Sequence, residues 1–400
     1  AVTDEDVAKV QEEARALVRA QALARSRTLS LSARSVSDLF RVNRVEGLAI
    51  GTGLTRRLGS GFSVTGRARY GIDDREFKGL SEIGFRRASG AGASVSGYRD
   101  YRDASDEMET SLVKNSIAAQ EFGSDYTDPF GVRGFSLQAQ TGVISGWNLI
   151  VRGVVERTAA LSVHAKPASG RYEPTIPAWD LRERVIGAVA ERPTWLAPGG
   201  IEAQLRAQVD AIGFRAADSA DYRNMLRLSA RANFERPFGT ARLVAHSVIA
   251  AAFGDDSIPV QHRVFLGGPT TGPGYEFHQF VGRSGASQRV ELRFPAPFPS
   301  FKLGRYGRTP ASMTLAPFLS TVWINNRSSL RGVSFFPPVP VGSSGPPPVF
   351  YPSLPSGWFP SVGLGGLVLF DVLRFDVARG LRDGRWTFSV DAGREFWGIL

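Results

Sequence analysis

The sequence predicts an all-β fold, a transmembrane antiparallel β-barrel of about 16 strands with a short N-terminal helix. Three observations predict it. Strand-length segments alternate apolar and polar residues along most of the chain. The polar positions repeatedly carry charges, chiefly arginine, where a soluble β-sandwich seldom places so many. The links between segments run short and long in the manner of barrel turns and loops. A wet lumen and an apolar exterior are what this pattern implies.

Thr3–Ala24 reads as a helix. Thr3 caps it with Asp6 three residues on, and Val7, Val10, Ala14, Leu17 and Val18 share one face. Residues 1–27 are therefore assigned to a periplasmic amphipathic helix and linker, and 28–400 to the barrel. The chain begins at Ala1 without Met or signal peptide, as expected of a processed chain or the C-terminal portion of a longer precursor. Thr28–Val36 is the expected first strand, poor in bulky apolar residues, and it brings the count to an even number. Phe62, Val64, Ala68 and Tyr70 then alternate with Ser63, Thr65, Arg67 and Arg69. In Ile201–Ala211 the odd positions are apolar, opposite Glu202, Gln204, Arg206, Gln208 and Asp210. Leu226–Phe234 sets Leu226, Leu228, Ala230, Ala232 and Phe234 against Arg227, Ser229, Arg231 and Asn233. Val290, Leu292 and Phe294, in phase with Gln288, oppose Arg289, Glu291 and Arg293. Near the end, Leu373, Phe375 and Val377 alternate with Arg374 and Asp376, and Trp386, Phe388 and Val390 with Arg385, Thr387 and Ser389. A one-residue slip in any of these would carry charges into the apolar layer, so register is strongly specified.

Short links fall at Arg56–Gly59, Arg87–Gly90, Thr141–Gly146, Pro237–Gly239 and Asp371. Long ones fall at Asp103–Asp128, Thr158–Leu181, Gly254–Ser284 and Asn325–Gly357. Counted back from a last strand running toward the periplasm, the long links lie outside and both termini are periplasmic. The Pro-rich run in Asn325–Gly357 reads as a stiff cover, with Phe335, Phe336, Phe350, Tyr351, Trp358 and Phe359 as candidates for the outer aromatic girdle.

Hydrophobic residues make up 42% of the chain and mean hydropathy is −0.11, compatible with a barrel in which alternate residues meet lipid. The longest apolar runs are shorter than the roughly 20 residues of a spanning helix, which excludes a helical membrane protein. The absence of cysteine removes disulfides, thiolate chemistry and Cys-based zinc sites. Net charge is +10, yet the arginines sit among acids on alternate strand positions instead of in a stripe, so they read as lumen lining and not as a nucleic-acid surface. Neither a His-Glu-x-x-His pair nor a Gly-x-Ser-x-Gly elbow is present, and Ser94 and Ser96 miss the second motif's spacing. His262 and His278 flank the loop described next and read as polar residues bonded to neighbours. Catalysis, cofactors and metals are not expected.

The segment Phe265–Phe294 is the most informative. Phe265-Leu266-Gly267-Gly268-Pro269-Thr270-Thr271, then Gly274-Tyr275, then Gln288–Pro295 with Glu291 and Arg293, resembles the BamA-type bacterial surface antigen superfamily. Its pattern is a Gly-Gly loop, Arg-Gly-Tyr or Arg-Gly-Phe, then a strand with Glu-x-Arg-Phe. The resemblance implies an outer-membrane location in a Gram-negative-type bacterium and a loop folded into the lumen at Gly267, Gly268, Gly274 and Tyr275. It implies wall partners at Glu291 and Arg293, beside Arg289 on the same lumen-facing side of the alternating strand, and a C-terminal assembly signal at Asp391, Gly393 and Phe396. Pro273 stands where the family has its docking arginine, so that contact does not transfer. Val132-Arg133-Gly134-Phe135 matches the tetrapeptide but lies upstream in an ordinary strand. The implied function is membrane protein insertion or polypeptide translocation, with outer-membrane lipid, client polypeptides and assembly machinery as partners and a weak seam between first and last strands. A passive pore or structural surface barrel, and a lipid-hydrolysing barrel, are the alternatives.

Overall fold

A computed structural model describes residues 29–397 apart from 34, 217–218, 255–257, 303–307 and 326–355. The Thr3–Ala24 helix and the aromatics Phe335, Phe336, Phe350 and Tyr351 lie outside the described residues. The strands are β1 (Leu29–Leu31), β2 (Phe40–Asn43), β3 (Gly47–Gly59), β4 (Phe62–Gly71), β5 (Phe77–Arg86), β6 (Gly92–Asp103), β7 (Pro129–Gln140), β8 (Asn148–Ala159) and β9 (Leu181–Ala197). Then come β10 (Ile201–Ala216), β11 (Arg223–Phe238), β12 (Ala241–Gly254), β13 (Val264–Leu266), β14 (Phe280–Gly282), β15 (Ser284–Pro297), β16 (Ser312–Asn325), β17 (Gly357–Val368), β18 (Leu373–Gly380) and β19 (Trp386–Ala392).

Each wall strand pairs antiparallel with the next in sequence, from β2–β3 round to β18–β19. β1 and β2 share one neighbour. Leu29–Leu31 lies opposite Leu54–Arg56, and Phe40–Asn43 opposite Gly47–Ile50. They are two pieces of one interrupted first strand. With them counted as one and the β13–β14 hairpin set aside, the wall has sixteen strands.

The expected first strand, Thr28–Val36, is thus corrected. Its ladder stops after the Ser32 amide meets the Gly53 carbonyl, a tight turn forms at Val36–Asp38, and pairing resumes where Gly51 donates to Leu39. Ser and Asp compete for local backbone bonds, which favours a turn at Ser35–Asp38 over continued strand.

The polarity of the wall is inverted relative to a soluble fold. Phe135 (71% exposed), Ile186 (73%) and Leu319 (65%) face outward, while Glu183 (1%), Glu291 (3%) and Arg374 (8%) are buried inside. In β15 Val290 and Leu292 are exposed and Arg289 and Glu291 are buried. Val132–Phe135 lies within β7, an ordinary strand, with Phe135 on the outer face.

The lumen differs from the expected wet interior. At the end carrying the long links it is filled by apolar packing, in which Val260, Phe265 and Val281 meet Ile176 and Ala178 against Phe130 and Val132 of the wall. Open space survives deeper in, as a cavity of about 720 Å³ bordered by Arg206, Arg231, His246, Arg374 and Asp391. Trp358 is exposed and neighbours Trp323, as a girdle residue would. Phe359 is instead buried against Phe280 and Tyr275, because alternation turns every second residue of β17 inward.

Asp103–Asp128 is not a simple external loop. It contains helix α1 (Leu112–Phe122), whose Ser111 side chain accepts the Lys114 amide and whose end is set by Gly123 at φ 69°.

Candidate functional site in the lumen and at the seam

The lumen loop, described over 258–283, is held by glycine geometry first. Gly267, Gly268 and Gly274 adopt φ of 109°, 118° and 92°, which side chains with a Cβ rarely tolerate. At Gly274 a Cβ would also sit 2.5 Å from the Gly380 amide nitrogen, so only glycine lets the loop lie against β18. The Gly274 N–H donates to the Thr387 hydroxyl of β19 at 2.9 Å. Tyr275 is buried, edge-on to Phe280, and its hydroxyl donates to the Pro360 carbonyl at 2.7 Å. The four predicted loop residues are therefore together, folded back inside and resting on the last three strands.

A second anchor comes from outside the motif. Glu109, in the link before α1, is buried, and its carboxylate accepts the amides of Thr270 at 2.7 Å and Thr271 at 3.1 Å, together with the Thr271 hydroxyl. Its own carbonyl accepts the Thr270 hydroxyl at 3.0 Å. Burial pushes the Glu109 carboxyl up, opposed by these donors. Loop docking is thus done by a carboxylate reaching into the loop's backbone, at a tip where Pro273 brings neither charge nor N–H donor.

The predicted wall partners form one cluster. Arg374 of β18 bonds Glu291 at 2.7 Å and Asp376 at 2.9 Å, and Arg293 bonds Glu291 at 2.6 Å. Arg289 lies 3.3 Å from Asp376, over the Phe318 ring at 3.8 Å, and its guanidinium donates to the Pro269 carbonyl of the loop. The cluster spans β15 to β18, and Gly365 of the intervening β17 makes room: a Cβ there would be 2.6 Å from Asp376. Alternation placed Arg374 and Asp376 on the inner face but gave no sign that they meet Glu291.

Of the C-terminal residues, Asp391 accepts the Ser111 N–H at 2.9 Å and the Ser111 hydroxyl, at the N-terminus of α1 where a negative charge is favoured. The Gly393 N–H closes onto Val372, and Phe396 lies in a short turn whose Trp397 indole donates to the Ala392 carbonyl at 2.9 Å.

Histidines are engaged as polar residues. His262 meets Glu183 at 2.9 Å, His246 meets Asn233, and His278 meets Asp128 at 2.6 Å while stacking on Phe277. Burial opposes a charge on His278, but the Asp128 carboxylate outweighs it and raises the imidazole above its ordinary value. Ser96 shares a hydrogen bond with Ser136 across strands. Among the described residues no group of three or more His, Asp and Glu side chains is placed to hold a metal.

At the seam the ladder stops. Among the described residues no strand register joins β19 to β1 or β2. An apolar exterior, an ion-paired interior and a glycine-bent loop packed inside define a transmembrane β-barrel with a plugged lumen. No protein-family model and no curated protein sequence matches the chain. Among solved structures it is similar to BamA from Haemophilus ducreyi lacking POTRA domains 1–3, at TM-score 0.54 and 12% identity, covering 91% of this chain and 70% of that one. CdiB from Acinetobacter baumannii matches at TM-score 0.41 and 13% identity, over 86% of this chain and 56% of that one. At such identity the likeness to BamA is one of fold, and it is the fold that the Gly-Gly loop and the Glu-x-Arg strand anticipated.

Proposed function

We propose that this chain is an outer-membrane barrel that inserts or translocates polypeptides, with both termini periplasmic and lipid around the wall. The observation that carries the reading is the seam. A sixteen-stranded wall whose first and last strands share no ladder exposes edges with which an extended β-segment pairs by main-chain hydrogen bonds. The likeness in fold to BamA supports the same reading. Client polypeptides and assembly machinery are the proposed partners. Gly267, Gly268, Gly274 and Tyr275 act as the plug, Arg289, Glu291 and Arg293 as its wall, and Asp391, Gly393 and Phe396 as the signal for the chain's own assembly. A passive pore fits less well, since apolar packing fills the lumen between Phe265 and Phe130. We assign no catalytic role.

Liposome reconstitution tests the reading. Vesicles carrying the protein are expected to accelerate folding of a client barrel added from outside, at unchanged ion leakage. Conductance without acceleration would instead establish a pore.

A further inference from the structure

The edges at the seam are not idle. In the β2–β3 ladder, Gly51 donates to Leu39, so the main-chain groups of Leu39, Arg41 and Asn43 face β3 and those of Phe40, Val42 and Arg44 face the free side. On that free side the Val42 N–H donates to the Ser116 hydroxyl of α1 at 3.1 Å. Two residues on, the Arg44 N–H donates to the Asp125 carboxylate at 2.9 Å. The Arg44 carbonyl accepts the amides of His164 and Ala165 from the 160–180 link, both at 3.2 Å. Three edge groups that a neighbouring strand would use are thus already bonded to two different loops.

The far side of α1 is fixed to the other edge. Ser111, at its start, holds Asp391 of β19, and Lys114 donates to the Ser389 hydroxyl at 3.0 Å. One eleven-residue helix therefore spans from the last strand to the first. Beside it, a cavity of about 550 Å³ separates Arg44 from Phe388 and Ser389. The first strand is presented rigidly here, because buried Glu46 in the β2–β3 turn takes Arg41 at 2.5 Å, Arg69 at 2.8 Å and Lys78 at 3.1 Å.

We propose that α1 with the 160–180 link is an autoinhibitory cap on the first strand, occupying the hydrogen-bonding positions of Val42 and Arg44 until an extended β-segment displaces it. The proposal rests on the seam reading above and adds its regulation. Unpaired edge strands invite pairing with any extended chain, and side chains that satisfy the edge groups suppress it. The same caps make opening reversible, since the Val42 and Arg44 N–H groups each exchange one partner for another.

The test uses the full chain in detergent or liposomes and a synthetic extended peptide of residues 385–397 as probe. Three forms are compared after each shows the same strand content by circular dichroism. These are the unaltered protein, Ser116→Ala with Asp125→Ala, and Val42→Cys with Ala119→Cys bridged by a short thiol-reactive linker. Val42 packs on the Ala119 cluster, and the chain has no cysteine of its own, so the linker acts there alone. Removing the caps is expected to strip hydrogen-exchange protection from the amides of Val42 and Arg44 and to tighten peptide binding tenfold or more. The linked form is expected to bind less peptide than the unaltered protein. Equal peptide binding by all three forms overturns the cap while leaving the seam as a docking site. Unchanged amide protection in the uncapped form overturns it too. Peptide bound by none of them removes the docking site, and with it both the cap and the seam reading.

Discussion

The wall between β15 and β18 and the seam between β19 and β2 are built from the same residue types in opposite ways. In the wall, Arg374 reaches across to Glu291 and along its own strand to Asp376 while antiparallel ladders hold the strands beneath. At the seam the ladders are missing and side chains do their work: Ser116 and Asp125 on the first strand, Asp391 and Trp397 on the last. Charge braces a fixed surface in one place and blunts an edge in the other. Remove a side chain from the wall and a buried charge loses one of its few partners. A side chain lost from the seam frees a backbone edge group. The difference separates a part of the barrel held by strand pairing from one held by side chains.

The largest expected effect breaks the wall. Arg374→Ala removes one of the guanidiniums shared by the buried Glu291 and Asp376 carboxylates and leaves Arg289 and Arg293 beside them, a loss of about 3 kcal/mol, the low end for a buried pair broken on one side. Urea unfolding in detergent should show it. A cost under about 1 kcal/mol would mean that water already screens the cluster, against the rule for buried pairs. Next comes the loop anchor. Glu109→Ala strips the acceptor from two buried amides and a hydroxyl, and bonds to a charged group contribute about 1.5–3 kcal/mol. Exchange of the 267–275 amides should rise while β15–β18 stays protected. A uniform rise through the wall would show that loop and wall open as one unit.

The fold was largely legible and the site only in part. Period-two alternation showed which face of β11 and β15 turns outward, because the chemistry of each face is written residue by residue. It says nothing about partners across the lumen. Glu291 and Arg374 lie 83 positions apart and meet only because the wall curves and Gly365 leaves room. Helix α1 was missed although Ser111 and Gly123 bracket it, since its apolar residues follow no strong helical stripe: Ile117 and Phe122 are exposed and Asn115 is buried. Glu109 gave no signal of its own, being one of several acids, with Asp106 and Glu107, in a polar link. The broken first strand was hidden for a different reason. Ser, Asp and Arg at 34–38 suit both a polar strand face and a turn.

A pH titration sharpens the comparison at the point where loop, helix link and first strand join. Asp128 bonds His278 of the lumen loop and the Arg44 guanidinium beside the seam. Burial opposes both charges, yet His278 is held above its ordinary 6.5, and Asp128 below its ordinary 3.8 by His278 and Arg44. The buried carboxylates of Asp103 and Glu109 also favour the imidazolium. A raised histidine contributes stability that is complete below its unfolded value and fades as pH rises through the folded one. A lowered aspartate contributes above its unfolded value and is lost on acidification. Protection of the loop amides around His278 should therefore be greatest between about pH 4 and 6.5 and fall on either side. With His278→Phe the alkaline fall should shrink to the part carried by the buried Glu109 carboxyl, which burial also raises. Persistence of the full fall would place the titration elsewhere.

The smallest effect isolates one hydrogen bond. Tyr275→Phe keeps the ring against Phe280 and Phe359 and removes only the hydroxyl that donates to the Pro360 carbonyl. A neutral bond of this kind contributes about 1 kcal/mol, with a further penalty if the carbonyl is left dry. Pro360 lies in β17, between the fixed cluster and the last two strands, so the bond couples loop to wall on the side nearest the seam. If the loop is a plug held by the wall, the substitution should lower loop protection by about fivefold to tenfold, the equivalent of that energy, and leave Val42 and Arg44 unchanged. If Val42 and Arg44 lose protection as well, wall and seam are one mechanical unit, and the separation drawn between them fails.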